Sequence, residues 1–137
     1  MSSRISMPRR WAGRTLSALA VLFLLFDTVI KLMKIAPVAE SFARLGMPVD
    51  LARAIGVLQL VCLGVYLIPR TAIPGAILLT GYLGGAIATH MRVGDPLFSH
   101  VLFPIYVAVL VWGGLFLRDD RLRPLLVDRT GPRPSHP

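Results

Sequence analysis

The chain has 137 residues, of which 55% are hydrophobic and 16% charged, with a formal net charge of +8 at pH 7. Its mean hydropathy of +0.68 lies outside the range of ordinary soluble domains and marks membrane-protein composition. A single cysteine, Cys62, excludes an intrachain disulfide and a CxxC thiol-redox centre, and neither a phosphate-binding glycine loop nor a nucleophile elbow occurs.

A membrane-crossing helix needs roughly 17–25 mostly apolar residues. Four segments near that length are predicted, at 15–35, 51–69, 73–91 and 98–117. They consume most of the chain and leave no room for a separate soluble domain. The expected fold is all-α: an integral membrane four-helix bundle over residues 15–118, after a basic stretch at 1–14 and before a charged tail at 119–137. The last dozen residues of that tail are proline-rich and expected to be disordered.

The first span, "TLSALAVLFLLFDTVIKLMK", follows Arg4, Arg9, Arg10 and Arg14. It leads into Asp27 and Lys31 rather than a small-x-small cleavage site, so it reads as a span and not as a signal peptide. Asp27 and Lys31 stand one helical turn apart on one face, where they can neutralise each other. At 1.5 Å per residue Asp27 lies roughly 12 Å inside the span's end. A charge at that depth costs about 2.5–3.5 kcal/mol on insertion scales, so an interior-facing, partnered placement is expected. Lys31 and Lys34 can snorkel; Asp27 is too short and needs a donor, with Lys31, Tyr82 and His90 as candidates.

Between the first two spans, "APVAESFARLGMPVD" predicts a short interfacial helix opened by Pro37 and stopped by Gly46, with Val38, Phe42 and Leu45 on one face and Glu40 paired with Arg44. Asp50 is placed to cap the second span. "IPRTAIPG" is a tight turn. The third span, "GAILLTGYLGGAIATH", carries Gly81 and Gly85 in a small-xxx-small pattern, with Tyr82, Gly85, Ala86 and Thr89 on a face leading to His90. Those glycines serve close helix packing, within the chain or between copies, or else leave space beneath His90 for a ligand. In "RVGDPLFSH", Asp95 before Pro96 has the order of a helix N-cap and first turn, and Pro104 is expected to kink the fourth span. Trp11 and Trp112 read as interfacial anchors.

Short cytoplasmic loops accumulate Lys and Arg, and the side shared by the two termini holds ten of them against five on the other side, Lys31, Lys34, Arg44, Arg53 and Arg92. Both termini are therefore expected to be cytoplasmic. The basic residues flank spans and suit anionic lipid headgroups; no nucleic-acid-binding motif is present. This topology gathers Asp27, Lys31, Tyr82, Thr89, His90, Arg92, Asp95 and His100 in the outer half of one bundle as a candidate ligand site, with Asp27 and His90 as the candidate acid/base pair. His90 and His100 sit on successive spans, a geometry that admits bis-histidine haem ligation. Neither lies in a paired motif that selects a metal, so no metal and no cofactor is assigned.

The run "LIPRTAIPGAILLTGYLGGAIATHMRVGDPLFSHVLFPIY", followed by "WGGLFLRD", resembles the DoxX-like family of small bacterial four-helix membrane proteins. The opening "FDTVIKLMK" and "PVAESFARLGMP" are similar to that family's first section, so the likeness covers about residues 14–120. The resemblance implies the four-helix fold. It also implies association with redox complexes, since the family takes its name from a subunit of a terminal quinol oxidase. It carries no agreed catalytic set. Two functions are expected. One is a non-catalytic subunit or assembly partner of a membrane, quinone-linked redox complex, whose partners are the bilayer and a membrane protein or a second copy. The other is a membrane enzyme or binder acting on a quinone- or isoprenoid-like molecule, for which haem or quinone are the cofactors to consider.

Overall fold

A computed structural model describes residues 6–126. The elements are α1 (Met7–Met33), α2 (Ala36–Arg44), α3 (Leu51–Leu67), α4 (Ala72–Arg92), α5 (Phe103–Arg118) and α6 (Leu122–Leu126), with no strand among the described residues. Met7–Met33, Pro69–Arg92 and Leu97–Arg118 are long and apolar enough to cross a membrane, and α3 is a 17-residue apolar helix. The expected all-α membrane bundle is therefore observed. α1 packs on α3 and α5, and α4 packs on the same two helices, so the four form a ring.

Why α1 starts well before residue 15 is visible at its first turn. Pro8 sits where its missing N–H costs nothing, and the Arg9 guanidinium donates to the Phe116 carbonyl at 3.1 Å while lying over the Phe116 ring. The basic start is thereby docked on α5. Of the tail, residues 119–126 are described, and Leu122 of α6 is buried in the core cluster; the last dozen residues, where disorder was expected, lie almost wholly outside the described residues.

The core joins Ala20 and Leu24 of α1, Leu63 and Tyr66 of α3, Leu79 and Leu83 of α4, and Val107, Val111 and Leu115 of α5. At the end nearest the termini, backbones touch. A Cβ added at Gly114 would collide with the Ser17 backbone and side chain, one at Gly13 with the Gly114 carbonyl, and one at Gly75 with the Tyr66 backbone. The buried Tyr66 hydroxyl bonds Ser17 Oγ at 2.9 Å and donates to the Val111 carbonyl at 3.0 Å, joining three helices. It has one hydrogen, so Ser17 supplies the hydrogen of their shared bond.

Several local expectations change. Asp50 makes no cap; its carboxylate pairs with Lys34, which lies just past α1. Asp95 makes no cap either, because His90 and Arg44 hold it. Arg44 passes over the exposed Glu40 for Asp95, whose side chain is only 6% exposed, since attraction is stronger where water is excluded. Pro104 lies in the first turn of α5, where its missing N–H breaks no ladder. The irregularity comes just before it, as a π-helical turn at Leu97–Val101 continued by Leu102 N–H donating to the Leu97 carbonyl at 2.8 Å. Trp112 is half buried, and its indole N–H donates to Thr80 Oγ1 at 2.8 Å across α4 and α5; Trp11 is exposed.

Glycines of the two kinds separate in a stability measurement. Gly114→Ala and Gly75→Ala should each destabilise the bundle by about 1–3 kcal/mol through overpacking. Gly84→Ala, with nothing within 4 Å of the new methyl, should be neutral or stabilise by up to about 1 kcal/mol through helix propensity. Thermal unfolding in detergent reads the difference.

Candidate functional site

Lys31 organises the end of the bundle covered by α2. It projects from α1 into the ring and its ammonium donates three hydrogen bonds: to Asp27 Oδ2 at 2.5 Å, Tyr82 Oη at 2.8 Å and Gln59 Oε1 at 3.2 Å. These partners come from α1, α4 and α3. An ammonium has three donors, so the charge is fully satisfied. Tyr82 in turn donates to Gln59 Oε1 at 3.0 Å, and Gln59 Nε2 donates to the Leu24 carbonyl at 3.2 Å. Leu24 is the carbonyl that Thr28, one turn on, would ordinarily back-bond. Thr28 Oγ1 is left as a buried hydroxyl without a partner among the described residues.

A second cluster forms the cover. His90 Nδ1 lies 2.5 Å from Asp95 Oδ2, and Arg44 of α2 reaches Asp95 Oδ1 at 2.8 Å. Arg92 donates to the Leu45 carbonyl at the end of α2. The hydrogen bond from His90, and then the Arg44 charge, hold the Asp95 carboxyl below its ordinary value of 3.8. The His100 ring meets His90 edge-on at 5.8 Å, and Ser99 Oγ sits 2.7 Å from His100 Nδ1. Among the described residues no group of three or more His, Cys, Asp or Glu is placed to hold a metal ion.

Between the two clusters lies a cleft of about 690 Å³, bounded by α3 and α4, reached by Asp27 and Lys31 of α1, and covered by α2 through Ser41, Phe42 and Leu45. That is the size range of sites for small organic ligands. Tyr82, Thr89 and His90 line it, so five of the eight residues expected from the sequence come together here. Arg92 and Asp95 stand behind it, holding the cover, and His100 lies against His90. The glycine pattern of α4 takes its second meaning: nothing stands within 4 Å of a Cβ placed on Gly81, Gly84 or Gly85, and Gly81 and Gly85 line the cleft. Leu58, Ile77 and Leu78 line it too while remaining about half exposed, so its mouth opens sideways between α3 and α4 onto the lipid-facing surface.

Sequence reasoning missed Gln59 and Ser41. Gln59 was detectable as the one amide inside the apolar run "VLQLVC", a polar group that must find partners on another helix. Ser41 carried no signal, because its place in the cleft depends on how α2 lies over the ring.

Removing one member of the central pair leaves the other charged at depth. Lys31→Met should destabilise the bundle by about 3 kcal/mol, whereas Asp27→Leu with Lys31→Met should recover most of the loss; a double-mutant cycle of unfolding in detergent checks this. The Asp95 carboxyl has a folded-state value below its unfolded one, so its ion pairs stabilise fully above 3.8 and are lost as pH falls through the depressed value. As pH falls below 3.8, the stability profile should therefore fall less steeply in Asp95→Asn than in the parent.

Nothing among the curated proteins or the solved structures matches this sequence. One family model does, over residues 15–114, the stretch from the first span to the α5 glycines. The chain is a multi-pass integral membrane protein and belongs to the DoxX-like family.

Proposed function

We propose that this protein is a non-catalytic membrane component that holds a small lipid-like molecule, of quinone or isoprenoid type, in the α3–α4 cleft. It would do so as a subunit or assembly partner of a redox complex in the bacterial cytoplasmic membrane, with both termini cytoplasmic. The observation that carries the binding reading is the cleft itself. Its floor is made of glycines with empty space where side chains would stand, its polar end lies at membrane depth, and its mouth faces lipid. A ligand with an apolar tail and a small polar head suits such a shape.

The non-catalytic reading is supported by how the candidate acid and base are engaged. Asp27 is neutralised by Lys31, and His90 is held by Asp95. Both side chains are thereby fixed in orientation, and the acceptor atoms they keep, Asp27 Oδ1 and His90 Nε2, suit holding a head group. Redox association rests on membership of the family, and the cytoplasmic placement of both termini on the distribution of Arg and Lys.

Gly85→Leu tests the binding reading without disturbing the core, because the new side chain enters open space. Protein purified in mild detergent should carry close to one small lipophile per chain by mass spectrometry of the extracted lipids, and Gly85→Leu, equally folded, should carry none. Recovery of bulk phospholipid alone from the parent would overturn the reading. Recovery of a stoichiometric protein partner lost on the same substitution would make the cleft a helix-docking groove instead.

A further inference from the structure

The donors and acceptors that face the cleft are unequal in number, and we infer that it selects a lipophile whose head donates a hydrogen bond, a phenol or an alcohol, over one whose head only accepts. This rests on the binding reading above and narrows it: of quinone-type molecules the cleft takes the reduced, phenolic quinol rather than the diketone quinone, and of isoprenoids the alcohol. Lys31 directs all three hydrogens to protein acceptors. Tyr82 has one hydrogen and gives it to Gln59. The Thr89 hydroxyl gives its hydrogen to the Gly85 carbonyl at 2.8 Å. Cys62 offers only a weak thiol donor. With the Tyr82 and Thr89 hydroxyls so engaged, Ser41 is the remaining hydroxyl lining the cleft, and it can either donate or accept.

Acceptors remain. Asp27 engages Lys31 through Oδ2, and its Oδ1 has no partner among the described residues, although the side chain lines the cleft and is 26% exposed. On the neutral His90 ring, an ionised Asp95 takes the Nδ1 hydrogen and so fixes the tautomer that leaves Nε2 with a lone pair. A hydroxyl entering from the membrane can donate to the carboxylate oxygen, a charge-assisted bond made where water is scarce. A ketone, ether or ester head brings a second negative dipole to the same oxygen and finds no unengaged strong donor except Ser41.

The test uses two probes that differ in that one hydrogen, para-dodecylphenol and its O-methyl ether, titrated against the full chain in nanodiscs at pH 8, with ligand-free nanodiscs subtracted and thermal stabilisation as readout. The phenol should bind at least about tenfold tighter, the worth of one hydrogen bond to a charged acceptor. In the Asp27→Asn, Lys31→Gln double variant, which is isosteric at position 27, keeps a polar donor at position 31 and removes both charges, the two affinities should come within about twofold. Should that variant fail to fold, Gly85→Leu serves as the control and should abolish saturable binding of both probes. Equal affinities in the parent would overturn donor selection and leave the binding site standing. A preference that persists in the double variant or in Gly85→Leu would overturn its assignment to Asp27. Absence of saturable binding by either probe would overturn this inference and the binding reading together.

Discussion

One ammonium in a low-dielectric interior constrains most of this bundle. Lipid tails are as apolar as leucine, so helices in a bilayer gain little from burying one another's side chains, and close packing and polar contacts decide how they associate. Lys31 demands three acceptors, and it obtains them from α1, α3 and α4. Rotating any of these helices by one residue, about 100°, would carry its acceptor away from the ammonium. The three-way contact therefore sets helix rotation and depth together, which a general apolar interface cannot do.

At the opposite end the constraint is of another kind. Tyr66 ties α3 to α1 and α5 through its hydroxyl, while Gly13, Gly114 and Gly75 bring backbones into contact. Along α4 this produces a gradient. Gly75 lies against the Tyr66 backbone, and Gly81, Gly84 and Gly85 lie against nothing. Helices α3 and α4 are thus pinned at their joining turn and stand apart further along, where the Tyr82–Gln59 hydrogen bond still links them at the polar end. A cleft follows from that wedge, lined by Leu58, Ile77 and Leu78 as well as by Asp27, Lys31 and His90, a pairing of apolar and polar walls that would suit a tailed molecule.

Much of this was legible in the sequence. Four apolar stretches, the interfacial "APVAESFARLG" helix and the gathering of Asp27, Lys31, Tyr82, Thr89 and His90 at one end all follow from counting residues along rods of known rise. What remained illegible depends on lateral placement. Asp95 reads locally as a cap, yet the folded chain offers it a histidine and an arginine from two helices, and ionic partners in a poorly hydrated niche outcompete a backbone N–H. The Gly81/Gly85 spacing reads equally as a packing face or a void, because it states only that side chains are absent. Gly13 and Ser17 have the same small-xxx-small spacing, and against Gly114 they do make the close crossing, so the spacing alone does not separate the two outcomes.

The cover over the cleft bears on how the proposed ligand would enter. α2 is tied to α4 and its following loop by Arg44 to Asp95 and by Arg92 to the Leu45 carbonyl, and Val38 and Phe42 are buried beneath it. Lifting it toward water would break an ion pair and expose two large apolar side chains. The side between α3 and α4 presents only Leu58, Ile77 and Leu78, which already face lipid and lose nothing when a tail slides between them. The low-cost route is lateral. On the binding reading proposed above, a molecule arriving that way would have partitioned into the bilayer beforehand, so hydrophobic tail length would govern its local concentration and Asp27 and His90 would discriminate only the head.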